Sequence, residues 1–64
     1  MTDKQQWIYE QCVGLGQITL TPEQFKIAFP SGMESVEAFL LECAQQPTWV
    51  KVKFVGPTTF SLSN

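Results

Sequence analysis

Two spacings of apolar residues occur along the chain, and they predict two kinds of element. In most of the chain up to about residue 46, apolar residues recur three or four positions apart, as they do on one face of a helix. In residues 50–54 and again in residues 60–62, every second residue is apolar, as in a strand with one buried face. The pattern therefore predicts a helical layer followed by a C-terminal hairpin.

The first helix is predicted to begin at a capping box and to end at glycine. Thr2 and Gln5 have the Thr-x-x-Gln spacing in which each side chain accepts a hydrogen bond from the other residue's backbone N–H. Gly14 and Gly16 can take the left-handed conformation that ends many helices. The predicted helix covers about residues 3–13. Its apolar face consists of Trp7, Ile8, Cys12 and Leu15, widened by Tyr9 and Val13.

Two more capping boxes predict two more helices. Thr21 and Gln24 start a short second helix, which ends before Pro30 because a residue that precedes proline avoids helical geometry. Ser31 and Glu34 form a Ser-x-x-Glu box before a third helix that reaches about Gln46. So short a connection predicts a helix-turn-helix. The inward residues of the third helix are predicted to be Met33, Val36, Leu40 and Cys43, extended by Phe39 and Ala44.

Three short segments have the alternation of strands. Residues 17–20 form the first, residues 49–54 the second and residues 59–63 the third, with a turn at Gly56-Pro57-Thr58 between the last two. In the second strand, Val52 and Phe54 are predicted to face inward and Lys51 and Lys53 outward. The complete predicted core is Ile8, Cys12, Leu15, Ile18, Leu20, Phe25, Phe29, Val36, Leu40, Cys43, Val52, Phe54, Phe60 and Leu62.

The resulting order is helix, strand, helix, helix, strand, strand, and in this order the chain resembles the winged helix-turn-helix superfamily. The resemblance covers residues 1–64 and is carried by the order and lengths of the elements. It implies one small α+β domain, with a three-stranded antiparallel sheet in which residues 17–20 pair with the hairpin, against the first and third helices. A different small α+β sandwich, with a three-stranded meander on a helical layer, is the rival prediction.

Composition argues against catalysis. The chain of 64 residues has no His and no Arg, so it lacks the usual general base and the usual clamp for phosphates. The two cysteines, Cys12 and Cys43, lie in apolar stretches and are predicted to be reduced and buried. We therefore expect no enzyme activity, metal or cofactor. The polar N-terminus and the absence of a long apolar run predict a soluble, cytoplasmic protein without a membrane span.

Charge disfavours nucleic acid as the partner, although the superfamily includes many DNA-binding proteins. The net charge is −2, and the third helix, which enters the major groove in such proteins, has Glu34, Glu37 and Glu42 but no basic residue. We therefore expect a regulatory or accessory module that binds a protein or itself. The alternative is a winged-helix transcription regulator, acting as a dimer. Inhibition of an enzyme by mimicry of nucleic acid is a weaker third, because a charge of −2 is small.

The candidate binding residues combine aromatic rings with lysines. The chain has more large apolar residues than so small a core can bury, among them Leu41 and Val55, and surplus aromatic residues are typical anchors of interfaces. Lysines on one strand beside a ring also suit a phosphate backbone with a stacked base, or they protect a sheet edge from aggregation. The predicted partner-binding residues are Trp7, Tyr9, Trp49, Lys51 and Lys53.

Overall fold

The elements of the computed structural model, which describes residues 1–46 and 51–63, follow the predicted order. They are α1 (Asp3–Leu15), β1 (Gln17–Thr19), α2 (Pro22–Ala28), α3 (Met33–Ala44), β2 (Lys51–Phe54) and β3 (Thr59–Ser63). The α+β class and the three-stranded antiparallel sheet are thus confirmed. The start of the predicted second strand, at residues 49 and 50, lies outside the described residues.

Capping boxes begin the first two helices, as predicted. The backbone N–H of Gln5 donates to the hydroxyl of Thr2 over 3.2 Å, and the backbone N–H of Thr2 donates to the Gln5 side chain over 3.3 Å. Thr21 and Gln24 exchange the same two bonds, both at 3.1 Å. Each box satisfies N–H groups that the first helical turn leaves without a partner.

The third predicted capping box is wrong. The residue that caps α3 is Gly32, with φ 65°, and no side chain bonds to the helix start there. Ser31 lies one position too early, and its backbone N–H donates to the hydroxyl of Ser35 over 2.9 Å. The corner between α2 and α3 needs a left-handed residue, which glycine supplies, and the helix therefore begins one residue later than the box requires.

Helix α1 continues two residues beyond its predicted end. Gly14 lies inside the helix, whereas Gly16, with φ 89°, ends it and donates its N–H to the carbonyl of Cys12 over 2.8 Å. Leu15 is the last helical residue, at the point where the chain turns into β1. Its side chain is 72% exposed, so its place in the predicted core is wrong.

The sheet has the order β1-β3-β2, so the last strand is central. Strand β1 pairs antiparallel with β3, where Ile18 lies opposite Phe60. Strand β2 pairs antiparallel with the same strand, and Phe54 also lies opposite Phe60. The predicted pairing of the first strand with the C-terminal hairpin is confirmed. Helix α1 packs against β1 and β3, and α3 packs against β2.

All five phenylalanines meet around Phe60, which is fully buried. Its ring centroid lies 5.1–6.5 Å from those of Phe25, Phe29, Phe39 and Phe54. Of the fourteen residues of the complete predicted core, all except Leu15 are buried or packed against the buried cluster.

Some helical residues face differently from the prediction. Tyr9 and Ala28 are also buried, although the predicted core omits them, and Phe39 is buried, as predicted for the inward face of the third helix. Met33, which is 52% exposed, and Val13 and Ala44, which are also exposed, were assigned to inward faces and are not inward. Apolar spacing marks a helical face wider than the one that the neighbouring elements cover.

Candidate functional site

Tyr9 is not part of an exposed aromatic surface. It is 8% exposed and lies in the core with Ile8 and Cys12 of the same helix. The expectation that its ring is available to a partner is therefore wrong. Three neighbouring aromatic and aliphatic residues, Trp7, Ile8 and Tyr9, cannot all face inward on one helix, and the packing against the sheet selects the last two.

Trp7 is the aromatic residue of this group that reaches the surface. Its side chain is 37% exposed, and the ammonium group of Lys4 lies 4.3 Å from the ring centroid. This is cation–π geometry between residues three apart on a helix. Lys4 therefore covers one face of the ring and leaves part of the indole accessible.

Lys51 and Lys53 are exposed on β2, and they point away from the helices, as predicted. Val52 and Phe54 on the same strand pack against the core on the other face. Trp7 belongs to the helical layer, so the sheet separates it from the two lysines. Trp49, predicted to lie beside the lysines, is outside the described residues.

The face of the sheet that carries these lysines has no carboxylate among its described residues. Across the three strands, Lys53 lies opposite Ser61, which lies opposite Gln17. The hydroxyl groups of Thr19 and Thr59 are hydrogen bonded at 2.9 Å. This outer sheet face is therefore polar, rich in hydroxyl groups and positively charged.

Helix α3 presents a second surface that is different in character. Its buried side chains are Val36, Phe39 and Cys43. The opposite side, here named the α3 outer face, consists of the exposed residues Met33, Glu34, Glu37, Ala38, Leu41, Ala44 and Gln45. Leu41 is 65% exposed and was among the apolar residues that the sequence placed beyond the core's capacity.

The α3 outer face combines apolar side chains with negative charge. Met33 and Leu41 are large and apolar, and the alanines beside them leave room for a partner's side chains. Helix α3 has three glutamates and no basic residue. Glu42, at the border of this face, forms an ion pair with the N-terminal ammonium group of Met1, at an N–O distance of 2.6 Å. Apolar spacing in the sequence does not distinguish the exposed side of α3 from the buried side, because Met33 fits the spacing of both.

The cysteines are buried as expected, and burial suppresses their ionisation. Desolvation raises the pKa of Cys12 to about 11, and desolvation, with the negative charges of Cys12 and Glu42, raises that of Cys43 to about 12. Both thiols are thus protonated at neutral pH and are poor nucleophiles.

Within residues 1–46 and 51–63, no three potential metal ligands cluster and no pocket is found. No helix in this part of the chain is long and apolar enough to cross a membrane. The candidate binding sites among the described residues are therefore two surfaces, the α3 outer face and the outer sheet face.

Comparison with known proteins identifies no relative of the chain. No family model, no curated protein and no solved structure matches it.

Proposed function

We propose that the chain is a non-catalytic interaction module that binds another protein through the α3 outer face. The observation that carries this proposal is the exposure of Leu41 at 65% and of Met33 at 52% on one side of a single helix. Large apolar side chains grouped on one surface are typical of protein interfaces. The alanines beside them, Ala38 and Ala44, allow a helix or a loop to approach closely.

The charge of the α3 outer face specifies the kind of partner. Glu34 and Glu37 are exposed beside the apolar residues, and no lysine on this helix balances them. A matching surface presents apolar side chains at its centre and Lys or Arg at its rim. Such complementarity accelerates association and selects against acidic partners.

The same charge disfavours a second copy of this chain and duplex DNA at this helix. Two α3 helices packed face to face bring glutamates near glutamates without a cation between them. A DNA groove brings the same carboxylates close to phosphates. We therefore favour a different protein over self-association and over a role as a recognition helix.

One variant and its matched control test the proposal. Leu41→Gln removes the apolar centre of the α3 outer face, whereas Leu15→Gln changes a leucine that is 72% exposed on α1. Proteins retained by the immobilised parent chain are identified by mass spectrometry, and their affinities for the parent and both variants are then measured by calorimetry.

We expect Leu41→Gln to weaken a specific partner by at least about tenfold, as for a residue near the centre of an interface. Leu15→Gln is expected to bind like the parent, and thermal melting checks that both variants are folded. Equal affinities of Leu41→Gln and the parent for every retained protein contradict the proposal.

The alternative function, a DNA-binding regulator of the winged-helix type, is favoured by one observation, the lysines on the outer sheet face. Titration with duplex DNA at about 50 mM and then 200 mM salt separates the two functions. Tight binding at low salt with a steep loss at high salt, abolished in Lys51→Glu/Lys53→Glu, supports the regulator. Absence of binding at both salt concentrations removes this alternative.

A further inference from the structure

Strand β2 has a backbone edge that no described residue pairs with. It lies at one side of the sheet, next to β3 only. The N–H of Val55 donates to the carbonyl of Thr59 over 3.0 Å, and antiparallel bonding alternates along a strand, so Lys53 and Lys51 also direct their backbone groups to β3. The backbone N–H and C=O groups of Val52 and Phe54 therefore point outward from the sheet.

The bonds on the other side of β3 agree with this alternation. Leu62 donates its N–H to the carbonyl of Gly16 over 2.9 Å, and the N–H of Leu20 donates to the carbonyl of Thr58 over 3.0 Å. Alternate residues of β3 thus form backbone hydrogen bonds with β1, and the intervening residues form them with β2. Leu62, which lies opposite Val52, is one of the residues that bond to β1. Val52 consequently has no backbone partner on β3.

Charged side chains lie beside this edge on one face of the sheet only. Lys51 and Lys53 lie two residues apart and project from the outer sheet face, where the described strands have no carboxylate. Val52 and Phe54 project from the inner face, beside the core. A strand added here has one row of side chains near ammonium groups and the other row near apolar groups.

We propose that the β2 edge binds an extended acidic segment of another protein as a fourth, antiparallel strand. The segment exchanges backbone hydrogen bonds with the N–H and C=O groups of Val52 and Phe54. Its residues opposite Lys51 and Lys53 are Glu or Asp, and the residues that alternate with them are apolar. Addition of a strand to a sheet edge is a general mode of peptide recognition, in which alternate side chains determine specificity.

Two other occupants fit the edge less well. A second copy pairing through β2 places four lysines on one face of the joined sheet, and like charges opposite each other are unfavourable. A nucleic-acid strand neutralises the lysines, but its sugar–phosphate backbone has no N–H donor for the outward carbonyl groups of Val52 and Phe54. The outward groups alternate between donor and acceptor, as a peptide backbone does.

The site does not depend on the proposed function of the α3 outer face. It uses a different element, and Leu41→Gln leaves it unchanged. A chain can therefore lose its partner at α3 and retain peptide binding at β2, or the reverse. The two proposals fail separately.

The probe is a fluorescently labelled peptide that alternates glutamate and valine, titrated into the full chain. We expect saturable binding, weakened by at least about tenfold in Lys51→Glu/Lys53→Glu, which changes only exposed side chains. Hydrogen exchange at the Val52 and Phe54 amides, fast in the free chain, is expected to slow when the peptide binds. Lys53, whose amide faces β3, is the internal reference, protected in both states.

Modified peptides separate strand addition from charge attraction without altering the protein. N-methylation of the residues opposite Val52 and Phe54 removes the donors that face β2 and is expected to abolish binding. N-methylation of the glutamates, whose N–H groups face away, is expected to preserve it. Equal affinities of the two methylated peptides, tighter binding of single-stranded DNA than of the parent peptide, or the absence of peptide binding each overturn the proposal.

Discussion

At the scale of single residues, the two thiols are the groups whose chemistry the fold changes most. Cys12 on α1 and Cys43 on α3 are both buried. Burial opposes the charged thiolate, and the charge of one thiolate opposes formation of the other, so the pKa values rise from 9.0 to about 11 and about 12. This change couples the stability of the fold to alkaline pH.

The free energy of unfolding is expected to decrease as pH rises above 9.0. In the unfolded chain the thiols lose their protons near that pH, whereas in the folded chain they keep them to about pH 11 and about pH 12. Deprotonation therefore favours the unfolded state, and the stabilisation is complete only below pH 9.0. Urea unfolding at a series of pH values measures this dependence.

The Cys43→Ala variant is the control for that measurement. Residue 43 is the only difference between the two proteins, so the difference between the two pH profiles isolates the contribution of the Cys43 thiol. We expect the variant to be less stable at neutral pH because it has a cavity, and to lose less stability above pH 9.0. Parallel profiles would show that the Cys43 thiol is not protected from ionisation.

At the scale of elements, the helices differ in how they begin. α1 and α2 have threonine caps with both bonds of the box, whereas α3 begins at Gly32 without a side-chain cap. The side-chain amide of Gln5 also donates to the carbonyl of Ala28 over 2.9 Å, so the cap of α1 is joined to the end of α2. Local sequence and packing thus act together at this corner.

Thr21→Ala and Ser31→Ala are expected to have different effects on stability, although both residues precede a helix in the same sequence pattern. Removal of the Thr21 hydroxyl leaves the N–H of Gln24 without its acceptor and should cost about 1 kcal/mol. The Ser31 hydroxyl makes no cap, and its loss should cost less than about 0.5 kcal/mol. Urea unfolding of the two variants measures both values, and equal losses would mean that Ser31 caps α3 after all.

At the scale of the whole molecule, Phe60 joins the layers. It lies on the central strand, opposite Ile18 of β1 and Phe54 of β2. Its ring also packs against Phe25 of α2 and Phe39 of α3. Contacts in the core therefore connect segments from distant parts of the sequence through one side chain.

Phe60→Ala is expected to destabilise the chain by about 3–5 kcal/mol, because it opens a cavity among four other rings. This is a large part of the stability of a small domain. Leu15→Ala, at a side chain that is 72% exposed, is the matched control and should change stability by less than about 0.5 kcal/mol. Thermal and urea unfolding compare the two, and a mild effect of Phe60→Ala would refute the central position of this ring.

Charge is also distributed by layer in the complete molecule. All six acidic side chains lie on helices, and two of the four lysines lie on β2. The helical layer therefore favours positively charged partners, and the outer sheet face favours negatively charged ones. The resemblance to winged helices stays a prediction at this scale. Element order by itself does not specify the partner, whereas the acidic third helix disfavours DNA.

The elements, their order and the positions of most buried strand residues could be predicted from the amino-acid sequence alone. These follow from local rules: threonine caps, a left-handed glycine at residue 16, and a change of apolar spacing from helical to alternating. A strand with one apolar face has only two orientations, so Val52 and Phe54 were assigned correctly.

The packing of the elements against one another determines which side of each helix is covered and which strand edge is open. A helix can rotate by a fraction of a turn and still bury apolar residues, so the choice of Tyr9 over Trp7, and of Phe39 over Met33, depended on what packs against it. The two candidate surfaces are what this packing leaves outside. The open edge of β2 follows from the strand order, in which residues 17–19 pair with residues 59–61. The resemblance in element order predicted this pairing, since no local pattern specifies contacts over such a separation.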